Sequence, residues 1–210
     1  MAAPGKTVSY DDRVIAAARE VFGEQGFAAP MSEVAKRAGV GVASVYRRYP
    51  SKQALAEAVR MASLRRIIAE AEAALSEESD AWAALVRFMS RCLGAETPIG
   101  TVLPPVDELH VHSDEFLLLQ DRMAELVERI VTAAQRSGAM RADVHWTDIP
   151  LLFKHLNPKL PIGEDRRAEL RARYLTLVLQ GLRDDRAGPL PTPAPDVDEW
   201  RAMCDSRARG

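Results

Sequence analysis

An all-α fold is what this 210-residue chain predicts. Apolar residues recur at helical spacing along nearly its whole length, and no segment alternates in the manner of a half-buried strand. Proline and glycine cluster between the periodic stretches, where they act as breaks. No internal repeat of roughly 20–50 residues is visible, so a solenoid is excluded.

The first helix is read from YDDRVIAAAREVFGEQG, where Val14, Ile15, Ala18, Val21 and Phe22 share one face. Ser9 is its expected N-cap, Asp11 and Asp12 suit the positive first turn, and Gly26 stops it. MSEVAKRA and VASVYRRY are short helices separated by GVG. After Pro50, Ser51 caps a long run, SKQALAEAVRMASLRRIIAEAEAAL, free of glycine and proline.

DAWAALVRFMSRCL forms a fifth helix. Pro98, Gly100, Pro104 and Pro105 then break the chain, leaving room for one short irregular helix before Ser113. A long helix follows from the Ser113 cap to the stop at Gly138. TDIPLLFKHL carries Pro150 in its first turn, where a missing N–H costs little. EDRRAELRARYLTLVLQGL repeats apolar residues at Leu170, Tyr174, Leu177, Val178 and Leu182. RAGPLPTPAP is an extended connector to a last amphipathic piece, DVDEWRAM.

Charge is distributed unevenly. Residues 1–66 hold 11 Lys+Arg and 6 Asp+Glu, a balance of +5, against −7 for the remainder. Between Lys36 and Arg66 eight basic residues face the single acid Glu57. A basic N-terminal third on an acidic body suits a polyanion-binding head on a soluble scaffold. No apolar run approaches the roughly 18 residues that would span a membrane. The start, MAAPGKTVSYDD, has no apolar segment behind Lys6, so no secretory signal is expected. Cys92 and Cys204 fit no metal-finger or disulfide spacing and read as reduced thiols of a cytoplasmic protein.

Two short helices joined by a tight turn carry a stereochemical fingerprint. The first needs a small residue where the second crosses it, supplied by Ala35, and a positive φ four residues later, supplied by Gly39. Val34, Ala38, Val40 and Val45 give the apolar flanks. This is a helix-turn-helix, whose second helix enters the major groove of DNA. An αα-hairpin inside a bundle would share the small and apolar residues. The outward face of the second helix decides between them, because it carries Ser44, Arg47 and Arg48 with no acid to pair them.

VAKRAGVGVASVYRRYPSKQALAEAV, after the helix RVIAAAREVFGEQGF, resembles the DNA-binding domain of the TetR family of bacterial transcriptional regulators. The likeness runs from about Arg13 to Val59 and includes Tyr46 and Tyr49, followed by Pro50, Ser51 and Lys52. The resemblance implies a three-helix DNA-binding head followed by a larger helical domain that binds an effector and dimerises. The expected layout is an arm at 1–8, the helix-turn-helix domain at 9–56, an effector and dimerisation domain at 57–185, and a Pro-rich tail at 186–210. The helix at 51–75 joins the two domains. Many relatives have serine where Gly41 stands, and threonine where this chain has Pro30 and Met31. Both departures remove a hydroxyl suited to a backbone phosphate.

Within that frame the residues take expected roles. Lys52, in the first turn of the fourth helix, suits a phosphate, and the Tyr46 phenol reaches the DNA backbone as that position does in the family. Arg47 is the expected base reader, bidentate to guanine, while Val42 and Ala43 can pack on a thymine methyl. Ser44 and Arg48 can serve either purpose. Tyr49 stands with this set but reads foremost as the apolar plug of the small domain. The unit on DNA is expected to be a homodimer on a palindromic operator, its recognition helices roughly 34–36 Å apart or a multiple of that. Leu170, Tyr174, Leu177 and Val178 are the expected dimer contacts, against the alternative that they cover their own core.

A small-molecule effector pocket needs apolar walls with a few polar anchors. Trp82, Phe88, Met89, Cys92, Phe116, Met123 and Phe153 can supply walls, and Gln120, His155 and Asn157 anchors. For each of these, ordinary core packing is the first reading, ahead of ligand contact. Nothing points to an enzyme, a cofactor or a metal. GKT at Gly5–Thr7 lacks the strand and upstream glycine of a phosphate-binding loop. His110 and His112 diverge on a helix and have no third ligand spaced to help. A helical interaction module without DNA binding is the alternative function, and it leaves the basic face unexplained.

Overall fold

The computed structural model describes residues 9–94, 113–157, 162–183 and 188–205. Nine α-helices form among them: α1 (Tyr10–Gln25), α2 (Met31–Ala38), α3 (Val42–Arg48), α4 (Lys52–Glu77), α5 (Ala81–Gly94), α6 (Asp114–Arg136), α7 (Asp148–His155), α8 (Glu164–Leu182) and α9 (Val197–Asp205). No strand forms among the described residues; the extended pairing is one antiparallel bridge between Met140 and Arg183. The irregular helix expected before Ser113, the His110–His112 pair and the GKT stretch lie outside the described residues.

Helix ends follow local chemistry. Ser9 Oγ accepts from the Asp12 amide at 3.0 Å, and the Asp12 carboxylate accepts from the Ser9 amide, a complete capping box on α1. Gly26 ends α1 at φ 79°. Ser51 Oγ accepts from the Ala54 amide at 3.0 Å and opens α4, and Ser113 caps α6 through the Phe116 amide.

The chain divides into two compact units, with the division inside α4 at Ala62 and Ser63. In the first, α1, α2 and α3 pack with the start of α4 around Val14, Phe22, Val34, Val45, Leu55 and Val59, each essentially sealed from solvent. In the second, α5 packs on α6 and on α8 around Leu85, Phe88, Met89, Leu126, Ile130 and Ile149. Trp82, Cys92, Met123 and Phe153 belong to that same core, and the Phe88 and Phe153 rings sit 5.7 Å apart.

Candidate nucleic-acid interface

The turn between α2 and α3 is set by backbone geometry. Gly39 lies in the left-handed region at φ 66°, ψ 37°, where an L side chain is strained. Its amide donates to Lys36 O at 3.2 Å, and the Val40 amide donates to Ala35 O at 3.0 Å. Those two bonds are the Schellman closure of α2. Ala35 is buried, as the crossing requires. Neither Pro30 before α2 nor Gly41 before α3 supplies a side-chain cap, so both helix N-termini keep amides free of one.

α3 is amphipathic over two turns. Val45 is wholly buried and Tyr49, just past the end, is nearly so. Val42, Ala43, Tyr46, Arg47 and Arg48 are exposed, and Ser44 is half-buried. The Arg47 guanidinium donates to Ser44 Oγ at 3.2 Å, one turn back. That leaves most of its donor fork outward.

Arg48 corrects the sequence reading that no acid pairs this face. Its Nη2 donates to Asp11 Oδ2 at 2.6 Å, and its Nε to Oδ1 at 2.9 Å. The Tyr49 hydroxyl donates to Asp11 Oδ1 at 3.1 Å. The Arg48 hydrogen bonds hold the Asp11 carboxyl below its ordinary range. Burial, reinforced by the bond to Asp11, pushes the Tyr49 phenol up to about 12. Tyr49 thus plugs the small domain and also ties α3 to α1.

The Lys52 ammonium, expected at a phosphate, donates to Phe27 O at 3.0 Å and Ala28 O at 3.2 Å, with the Phe27 ring 5.3 Å away. Arg37 reaches Glu20 and Glu24 on α1, each at 2.9 Å. The basic run of the sequence is therefore partly neutralised by acids that folding brings in from α1. Asp11, read at first only as a helix-start acid, is the residue missed. Its partner lies 37 positions away, beyond any local spacing rule.

In the second unit, all eight pocket candidates are buried: Trp82, Phe88, Met89, Cys92, Phe116, Gln120, Met123 and Phe153. Burial raises the Cys92 thiol well above its ordinary range, which opposes a redox switch there. His155 is exposed and Asn157 is half-buried. On α8, Tyr174 and Leu177 are 43% and 53% exposed, while Leu170 is half-buried. Val178 instead packs against its own unit's core. Among the described residues no group of three metal-ligating side chains converges. No described helix is long and apolar enough to cross a membrane.

An all-α chain whose first unit offers a glycine-closed helix-turn-helix with an outward Arg47 has the form of a DNA-binding transcription regulator. Family models place it further. Residues 14–59 match that of bacterial regulatory proteins of the tetR family, and residues 79–184 match the C-terminal domain of SbtR-like transcriptional regulators. The chain belongs to the TetR family, a family of DNA-binding transcription regulators and not of enzymes.

Solved structures agree. The TetR transcriptional regulator SCO0520 from Streptomyces coelicolor is 28% identical, with 82% of this chain and 98% of that one covered at a TM-score of 0.60. A TetR regulatory protein from Mycobacterium vanbaalenii is 29% identical, covering 81% and 93% at 0.53. The regulator PfmR from Thermus thermophilus is 25% identical, covering 81% and 96% at 0.56. No curated protein matches the chain.

Proposed function

We propose that this regulator binds a palindromic operator as a homodimer, represses from it, and is released by a small-molecule effector held in the second unit. The observation that carries the DNA end is the outward face of α3, where Arg47 is exposed and bonded only weakly to Ser44 among the described contacts. Arg47 reads a guanine, and Val42 and Ala43 meet a thymine methyl. Tyr46 and the third N–H of Lys52 reach phosphates, and Ser44 supports Arg47.

The dimer reading is supported by the apolar side chains that α8 leaves exposed, Tyr174 and Leu177, with Leu170 one turn earlier. One helix-turn-helix buries too little DNA surface for operator specificity, so two are needed. The effector reading is supported by the aromatic and methionine-rich interior around Phe88, Met89 and Phe153, with Gln120 as a polar anchor. Such a lining suits a mostly apolar ligand. Release follows from linkage: a ligand that favours the wrong spacing of the α3 helices weakens operator binding by the same factor, about 5–150-fold. Helix α4 runs from the first unit into the second.

Gel shift on the DNA flanking the protein's own gene tests the reading. Arg47→Ala should relax preference at one base pair, at a cost of about 1–3 kcal/mol, without abolishing non-specific binding. Equal loss on every sequence would assign Arg47 to phosphates instead.

A further inference from the structure

Asp11 has both carboxylate oxygens engaged by the end of the recognition helix. Arg48 grips it through Nε and Nη2, and the Tyr49 hydroxyl adds a bond to Oδ1. We propose that Asp11 is an electrostatic mask: it holds Arg48 in the DNA-binding unit so that this guanidinium adds no net charge to DNA binding, and Arg47 is left as the arginine of α3 that reads a base. The proposal rests on the DNA-binding role of the family.

Three features favour retention of the pair on DNA. The fork-to-carboxylate geometry is bidentate, the form in which arginine and carboxylate match best. Asp11 is anchored by the mostly buried Tyr49, so it cannot follow Arg48 outward. An Arg48 that left for a phosphate would strand a carboxylate near the DNA backbone, and the repulsion would oppose the move. The pair is exposed, so its role lies in charge cancellation and not in stability. Non-specific affinity scales with the cations that neutralise phosphates, whereas base readout does not. Silencing one such cation beside Arg47 therefore lowers background binding more than operator binding. Asp11 acts here as a positioning residue.

The test compares wild type, Asp11→Asn and the double variant Asp11→Asn/Arg48→Gln on a fluorescent duplex of mixed sequence, by anisotropy over a salt series. Asp11→Asn keeps an acceptor for Tyr49 and unmasks Arg48. It should bind more tightly and steepen the log–log salt slope by about 0.9 per chain, so a fourfold rise in salt costs it about 3.5 times more affinity than wild type. The double variant should match wild type in slope. The opposite pattern overturns the mask: Asp11→Asn unchanged and the double variant shallower by about 0.9 per chain means that Arg48 leaves Asp11 for a phosphate. Equal slopes in all three, with only a lowered melting temperature, would reduce Asp11 to a structural contact and also overturn it. Should Asp11→Asn alone fail to fold, Asp11→Ser takes its place: a slope steeper than wild type by about 0.9 per chain supports the mask and an unchanged slope overturns it. A wild-type chain that bound no duplex would remove the DNA-binding role itself, an outcome separate from any difference among variants.

Discussion

Trp200 sets its ring against that of Trp146, with centroids 4.9 Å apart and planes inclined at 67°. The contact fastens the end of the described chain to the core of the second unit, where both indoles are buried. Polar bonds line the approach to it. Thr147 Oγ1 donates to Pro195 O at 2.7 Å, the Leu190 amide to Asp143 Oδ2 at 2.8 Å, and Arg141 Nη2 to Gly188 O at 2.9 Å. The match to the family's C-terminal model ends at residue 184, so this strap lies beyond it. Trp200→Ala should lower unfolding stability by about 3 kcal/mol, the low end for a buried tryptophan, because a chain end can relax into the space. Urea unfolding followed by circular dichroism measures it. A loss under about 0.5 kcal/mol would mean that the strap is loosely held.

Gly39 supports a second prediction. A Cβ built there meets nothing within 4 Å, so a substitution suffers no clash and the whole cost is backbone strain at φ 66°. Gly39→Ala should cost about 1–2 kcal/mol, Gly39→Asn less, and Gly39→Val more. The order of the three under chemical denaturation is the check. An alanine variant as stable as wild type would show that the turn re-forms without the left-handed residue.

These two sites differ in how far the sequence exposes them. Ser9, Gly26, Gly39 and Ser51 work through bonds to residues a few positions away, and so helix limits and the turn were legible from spacing alone. Asp11–Arg48, Arg37–Glu24 and Lys52–Phe27 join positions 37, 13 and 25 apart, and only the folding of α1, α2, α3 and the start of α4 around one core brings them together. The same holds for α8. Its apolar stripe was legible, but the division into Leu175 and Leu182 inward, Val178 on its own core and Tyr174 and Leu177 outward depends on where α5 lies. Trp200 carried no local signal of its role, since Trp146 is far away in sequence.

Tyr49 supports a pH prediction. Its phenol is raised from 10.0 to about 12 by burial and by Asp11, so the folded state favours the protonated form. A folded pKa above the unfolded one contributes stability that is fully present below pH 10 and is lost as pH rises towards 12. Melting temperature should therefore fall through that window more steeply in wild type than in Tyr49→Phe, which cannot ionise there. The difference in tyrosinate absorbance between folded wild type and Tyr49→Phe should rise above pH 10, towards 12, and move down to pH 10 on unfolding. Parallel melting curves for the two proteins would place Tyr49 in a wetter setting.

Leu177 tests the dimer. It lies about 200° around α8 from the buried Leu175 and is 53% exposed, so its side chain faces away from its own core. Leu177→Glu should leave the monomer's melting profile close to wild type, within about 0.5 kcal/mol, because exposed substitutions rarely exceed that. In a dimer joined through α8 the same carboxylate would enter an apolar contact without a partner, at a cost of several kcal/mol, roughly enough to separate the subunits. Sedimentation velocity should then show a dimer for wild type and a monomer for the variant. Operator affinity should collapse with it, since a lone α3 reaches one half-site. A variant that remained dimeric would move the interface off α8 and leave Tyr174 and Leu177 to another partner.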